Sequence, residues 1–227
     1  MALALCACKK DARQPDLSYN PVLLPADFTQ SVNLTNLYFP FEAGKTYIYE
    51  GQTGDGLERV EVQRLPATKT ILGINCLVVN DKVFLNGKLV EDTDDWYAQD
   101  NSGAVWYLGE AVDNYNADGT LKDHAGSWEA GVNGAMPGIA MPANPTPGMR
   151  YRQEYYFNEA EDEAEVLETG IQAAIPLGTY NNCLKTREWT DLEPDLNEQK
   201  IYAPGIGLIK EINLTDNEQS VLIEIKG

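Results

Sequence analysis

The sequence predicts an all-β fold: an antiparallel meander of roughly ten strands, closed or half closed into a barrel. Three observations carry this. Apolar and polar residues alternate through most segments after Gly44, the period-2 signature of strands with one buried face. Turn sequences that favour hairpins, Asn86-Gly87, Asp118-Gly119 and Asp100-Asn101-Ser102-Gly103, fall between those segments. The connections are short, apart from a long Gly- and Pro-rich loop at 126–149.

Taken in order, Lys45 to Glu50 alternates with Tyr47 and Tyr49 on one side, and Leu57 to Arg64 puts Val60 and Val62 on one face. Ile71 to Leu85 is rich in Val and Leu, with Gly73 as a break. Asn86-Gly87 then leads into the stretch around which the chain is organised, Lys88 to Glu110. Its turn at 100–103 sets a register in which Tyr97 faces Tyr107, Ala98 faces Trp106 and Trp96 faces Leu108. One face carries Trp96, Ala98, Trp106 and Leu108 and is the expected core face; the other carries Asp95, Tyr97, Gln99 and Tyr107.

In residues 126–149, glycines alternate with Pro137, Pro142, Pro145 and Pro147. This composition predicts a loop without regular strand or helix. Its apolar residues, Trp128, Met136, Ile139 and Met141, predict that it docks over one end of the barrel. Met149 to Phe157 reads as an aromatic strand, and Glu159 to Glu168 reads as a strand rather than a helical turn. Tyr180 to Trp189, Glu198 to Tyr202, Ile206 to Ile212 and Val221 to Ile225 supply the remaining strands.

The domain plan is residues 1–8 as a signal-peptide remnant, 9–38 as a tether interrupted by Pro15, Pro21 and Pro25, and 39–227 as one β domain. Leu5-Cys6-Ala7-Cys8 resembles a bacterial lipobox, which makes Cys8 the expected lipidation site and lipid insertion the only expected membrane contact. The net charge of −18 disfavours nucleic acid and anionic headgroups as direct partners. The expected location is the cell envelope, periplasmic or surface-exposed.

Gly178-Thr179-Tyr180-Asn181-Asn182-Cys183, followed by Tyr202-Ala203-Pro204-Gly205-Ile206-Gly207-Leu208-Ile209-Lys210, resembles a family of secreted bacterial β-rich lipoprotein-like proteins. In that family a cysteine-bearing strand precedes a closing YAPGxGLVK-type strand. Asp95 to Asp100, Val105 to Tyr107, Gly126 to Gly131 and Tyr151 to Tyr156 extend the resemblance over most of the domain. It implies an envelope location and a β fold, and no reaction.

The chemistry-bearing residues leave several classes open. Cys76 and Cys183 lie in strand-like segments and form an expected disulfide in an oxidising compartment. The single histidine, His124, leaves little for Ser-His hydrolysis or His-based zinc chemistry. Asp92, Asp94 and Glu110 share a face at the base of the hairpin and are the candidate Ca²⁺ ligands. Trp96, Trp106, Trp128, Tyr151 and Tyr155 are the candidate ligand-binding aromatics. Glu154 and Glu129, with an Asp of the hairpin, could serve as the acid–base pair of a carbohydrate-active enzyme. Met136, Met141 and Met149 are candidate Cu(I) ligands or core plugs. The leading reading is a lipoprotein that binds an apolar or amphipathic ligand. The alternatives are a surface interaction protein stabilised by Ca²⁺ and a carboxylate enzyme.

Overall fold

The computed structural model describes residues 13–195 and 197–227. The expected lipobox, Cys8 included, lies outside the described residues. The described chain is all-β, one antiparallel sheet nearly closed into a barrel, with 15 strands rather than ten. In chain order they are β1 (Thr46–Thr53), β2 (Gly56–Ile71), β3 (Ile74–Leu85), β4 (Lys88–Gln99), β5 (Val105–Tyr115), β6 (Leu121–Asp123), β7 (Trp128–Glu129) and β8 (Met136–Met141). These are followed by β9 (Arg150–Arg152), β10 (Glu154–Tyr155), β11 (Asp162–Ile175), β12 (Gly178–Thr190), β13 (Asn197–Ala203), β14 (Gly207–Asn213) and β15 (Glu218–Lys226).

The sheet runs β10-β8-β5-β4-β3-β2-β1-β15-β14-β13-β12-β11-β9, with β6 and β7 pairing β5 off this path. Its two ends, β9 and β10, are consecutive in the chain and separated by Gln153 alone. β9 pairs β11, and β10 pairs β8. The Gln153 amide donates to the Asp162 carbonyl at 2.7 Å. One short segment therefore forms the seam between the two edges of the sheet, which leaves few strand edges unpaired.

The hairpins follow the local turn chemistry. Asn86 and Gly87 have φ of 50° and 79°, the left-handed pair that a type I′ turn needs. The Asp100 turn closes with the Gly103 amide donating to the Asp100 carbonyl at 3.0 Å. Glu159 to Glu168 contributes to β11, as the alternation predicts.

Two expectations are corrected. First, the 126–149 segment is not a strandless loop: β7 and β8 lie within it, and β8 is part of the barrel wall between β5 and β10. Its proline falls where the strand is short, and Gly138 lets the neighbouring backbone come close. A Cβ at Gly138 would stand 2.2 Å from the Gln153 carbonyl carbon and oxygen. Second, residues 13–38 lie along the barrel rather than hanging free as a tether. Phe28 and Leu34 are buried. The Asn36 side-chain amide donates to the carbonyls of Gly103 (2.9 Å) and Pro142 (3.1 Å), and the Gln99 side chain accepts from the amides of Thr35 and Asn36 at 2.8 Å each.

The apolar face of the central hairpin is buried in a core, as expected, and that core lies on the outer side of the barrel wall. Trp96, Ala98 and Leu108 pack with Ile74, Cys76 and Val78 beneath Phe28, Trp128, Ala130 and Ala135, an outer cluster roofed by the N-terminal strap and the 126–135 segment. The interior cluster is separate and drawn from strands around the barrel: Tyr47 and Tyr49, Leu77 and Val79, Val105, Val166, Leu184, Ile209 and Leu222. Cys76 to Val79 of β3 and Ala98 to Gln99 of β4 are buried on both faces, so alternation alone does not mark the inner face there.

Candidate functional site

The barrel interior holds a cavity of about 370 Å³. One part of its wall is aromatic. Tyr97 of β4 stacks on Tyr107 of β5 with ring centroids 4.8 Å apart, and Phe39 and Phe41 meet Tyr97 at 5.0 and 6.3 Å. The two phenylalanines come from the end of the strap that Asn36 pins, just before β1. Phe41 has φ of 32°, a left-handed conformation that a bulky side chain adopts only under tertiary constraint.

The other part is ionisable. Among the described residues, seven carboxyl side chains line the cavity, Glu58, Asp81, Asp95, Glu154, Asp162, Glu188 and Glu211, against a single cation, Lys200. Lys200 on β13 lies 3.0 Å from Glu188, 3.5 Å from Glu211 and 3.7 Å from Glu198. Burial alone would lower the Lys200 pKa, yet the charges of Glu188 and Glu211 hold it well above the usual lysine value. Burial likewise pushes Glu188 up, but Lys200 outweighs it; with hydrogen bonds from Thr186 (2.8 Å) and Gln153 (3.2 Å), Glu188 stays below the ordinary range. Glu188 also accepts from the Tyr202 hydroxyl at 3.1 Å.

Asp81, Asp95 and Glu154 have no cation acting on them in this way. Burial raises Asp95 to about 7, although it accepts from the Tyr107 hydroxyl at 2.5 Å. Burial and then Asp162 raise Glu154 to about 8. Glu110, across from Asp95, is pushed to about 9 by burial and by the Asp95 charge. Asp81 is raised well above its usual value by burial, then by Asp95, and its Oδ1 is buried without a hydrogen-bond partner. Near neutral pH such groups hold protons, so the wall offers hydrogen-bond donors as well as charge.

The residues singled out from sequence are distributed differently. Of the five candidate aromatics, none lines the cavity. Trp96 is on the outer face with the Lys69 ammonium 3.1 Å from its ring centre, and the Trp106 indole donates to Asp100 at 2.9 Å. Trp128 is buried in the outer cluster, 5.3 Å edge-on from Tyr107. Tyr151 packs against the interior cluster with an unpartnered hydroxyl, and Tyr155 lies against Tyr19 of the strap.

The candidate calcium ligands are split between faces. Asp92 and Asp94 accept from the Asn80 side chain at 2.6 and 3.0 Å, and Asp92 pairs with Lys82. Glu110 faces Asp95 instead. Among the described residues no group of three His, Cys, Asp or Glu side chains is placed to hold a metal ion. Glu129 is ion-paired to Lys69 at 2.7 Å and does not line the cavity, while Glu154 lines it together with Asp95 of the hairpin, whose charge acts on Glu154. Met141 is fully buried in the interior cluster and Met149 packs against it, which makes plugs of these two, while Met136 is half-buried and pairs with Tyr155 through the strand ladder. The expected disulfide is not formed. Cys76 and Cys183 are free and buried in different clusters, outer and interior.

Asp81, Phe39, Phe41, Tyr97 and Lys200 were not singled out in advance. A signal existed for Asp81: it shares strand parity with Leu77, Val79 and Val83, a charged residue on an apolar face.

No family model and no curated protein matches the chain. A solved structure that it resembles is that of a candidate lipoprotein from Parabacteroides distasonis ATCC 8503, at 15% identity and a TM-score of 0.44, covering 84% of this chain and 99% of that one.

Proposed function

We propose that the chain is a lipid-anchored protein of the cell envelope whose barrel interior binds one small amphipathic molecule. The observation that carries the binding role is the cavity: about 370 Å³, aromatic on one side and rich in carboxyls on the other. That volume falls at the low end of the roughly 300–1,000 Å³ range of ligand pockets. A barrel wall gives such a site rigidity, because strands held by ladders on both sides fix the side chains that line it. Anchoring rests on the Leu5 to Cys8 pattern. Two acyl chains on Cys8 would hold the domain at a membrane surface without a spanning segment.

The test uses a neutral environment-sensitive dye, N-phenyl-1-naphthylamine. Saturable emission enhancement at one site per chain is expected from the wild type. Ala140 is buried and lines the cavity, so Ala140→Phe should fill it and abolish the enhancement while the β circular dichroism persists. Dye binding that is absent in the wild type, or unchanged in the filled variant, would remove the interior from consideration.

A further inference from the structure

We infer that the molecule bound in the barrel is an organic ammonium ion, its cation held by the Asp81 and Asp95 carboxylates beside the ring of Tyr97. This rests on the reading that the cavity is a binding site, and adds the chemical class of what enters it.

The imbalance of charge on the wall is the first step. Among the described residues, seven carboxyl side chains face the cavity and one lysine does. That lysine is already surrounded, with carboxylate oxygens of Glu188, Glu211 and Glu198 within 3.7 Å. An anionic guest would find no unpaired cation on the described wall. A purely apolar guest would bury those carboxyls against itself without satisfying them.

Asp81 supplies an independent observation. Glu188 is held by Thr186, Gln153, Tyr202 and Lys200. Asp81, by contrast, has a buried Oδ1 with no donor. It projects from β3 to the same side as Val79 and Val83, which line the cavity. A buried acceptor without a donor is costly, and a donor arriving on a ligand would satisfy it. The charges that act most on Asp81 are themselves acidic, led by Asp95, so the donor that fits best is a positive one.

The rings make the third point. Tyr97 is bracketed by Phe39, Phe41 and Tyr107 at 5.0, 6.3 and 4.8 Å. Tyr97 and Tyr49 both lie within the field of Asp81. These packed rings give the organic body of the guest an apolar wall next to the carboxyls. The cation is organic rather than a metal ion, because the carboxyls are spread along the wall and no three converge among the described residues. Ca²⁺ would need about six to eight oxygens around one point. With no such guest, burial raises Asp95 to about 7 and Glu154 to about 8, which favours their protonated forms. A bound ammonium would take the place of those protons.

Calorimetric titration of the full chain at pH 7 with three probes of the same body decides the matter: 2-phenylethylamine, 2-phenylethanol and phenylacetate. The amine should bind about tenfold more tightly than the alcohol, and phenylacetate should be weaker than either. Asp81→Asn should bring the amine down to the affinity of the alcohol while leaving the alcohol unchanged. Asp95→Asn provides the same comparison if the first variant does not fold. Equal affinities for amine and alcohol, or tightest binding of phenylacetate, would overturn the inference and leave the cavity reading in place. If none of the probes binds and N-phenyl-1-naphthylamine does not bind either, the cavity reading fails and the inference fails with it.

Discussion

Asp95 of β4 lies directly opposite Glu110 of β5. An unbroken hairpin register would set Glu110 against Asp94. β5 instead contains one extra residue: Tyr97 pairs Tyr107, yet two residues back on β4 the partner is three residues on along β5. The bulge falls at Gly109, where φ is 135° and a Cβ would come 2.3 Å from the Trp128 carbonyl oxygen. A one-residue slip moves a side chain to the other face of a sheet. Here it takes a carboxyl from the solvated outer edge to the interior, beside a second carboxyl.

That pair makes stability depend on pH in a stated direction. The folded pKa values, about 7 for Asp95 and about 9 for Glu110, lie above the unfolded references of 3.8 and 4.5. The folded state therefore binds these protons more tightly than the unfolded chain. Their contribution is fully present below pH ~4 and is lost as pH rises through the folded values. Glu110→Gln removes one such loss. The variant should match the wild type at pH 4 and be more stable at pH 8.5, by on the order of a few kcal/mol. Thermal denaturation at the two pH values checks this; a variant less stable than wild type at pH 8.5 would contradict it.

The local parts of this fold are legible in the sequence. Asn86-Gly87, the Asp100 turn and the Tyr97–Tyr107 pairing need only neighbouring residues, and each is present in the structure. What could not be read depends on distant backbone. The Gly109 bulge accommodates Trp128, and β8 exists because the seam at Gln153 approaches Gly138. The strap reads as a linker because polar groups such as Asn36 and Gln99, rather than an apolar stripe, fasten it. The cavity aromatics were misassigned for a related reason. Both faces of the central hairpin are buried, so apolarity favoured Trp96 over Tyr97.

Gly138→Ala tests the seam. The new methyl would overlap the Gln153 carbonyl, which is backbone and tied to Asp162. The strands must separate at the point where the barrel closes. A loss of about 2–4 kcal/mol is expected, as for overpacking without a flexible neighbour. An alanine variant with unchanged denaturant midpoint would mean that β8 and β10 separate at no cost.

The thiols offer a check on the corrected disulfide. Burial pushes the Cys76 thiol up to about 12 and raises Cys183 as well. Protonated, buried thiols react slowly. In a chain whose Cys6 and Cys8 are changed to serine, a thiol reagent should find no site in the native protein and two after unreduced denaturation. Reducing agent should leave the melting temperature unchanged. Two sites that stay silent on denaturation would restore the bridge.

Anchoring is checked in the precursor. Cys8→Ser should move the protein from the membrane pellet to the soluble fraction and remove any acyl mass. A wild-type chain without acyl mass would end the lipid-anchor proposal.

The last prediction concerns the strap. Phe39 and Phe41 close the aromatic side of the cavity, but no strand ladder holds them. Their position depends on Asn36, whose side chain donates to Gly103 and Pro142, and on the Gln99 carbonyl oxygen that accepts from the amides of Thr35 and Asn36. Phe41 is held at φ of 32°, a conformation it would leave once that hold weakens. Asn36→Ala removes two donors and leaves two carbonyls to find others, at a cost of about 1–3 kcal/mol. The barrel strands do not run through this site, so the β signature should persist. The phenylalanines should then leave Tyr97 more often, and the cavity should fill and empty faster. Stopped-flow mixing with N-phenyl-1-naphthylamine would show this as a rise in both association and dissociation rates, with a smaller change in affinity. A variant that loses stability but keeps wild-type rates would show that the ligand enters elsewhere, and that the strap is a structural brace rather than a gate.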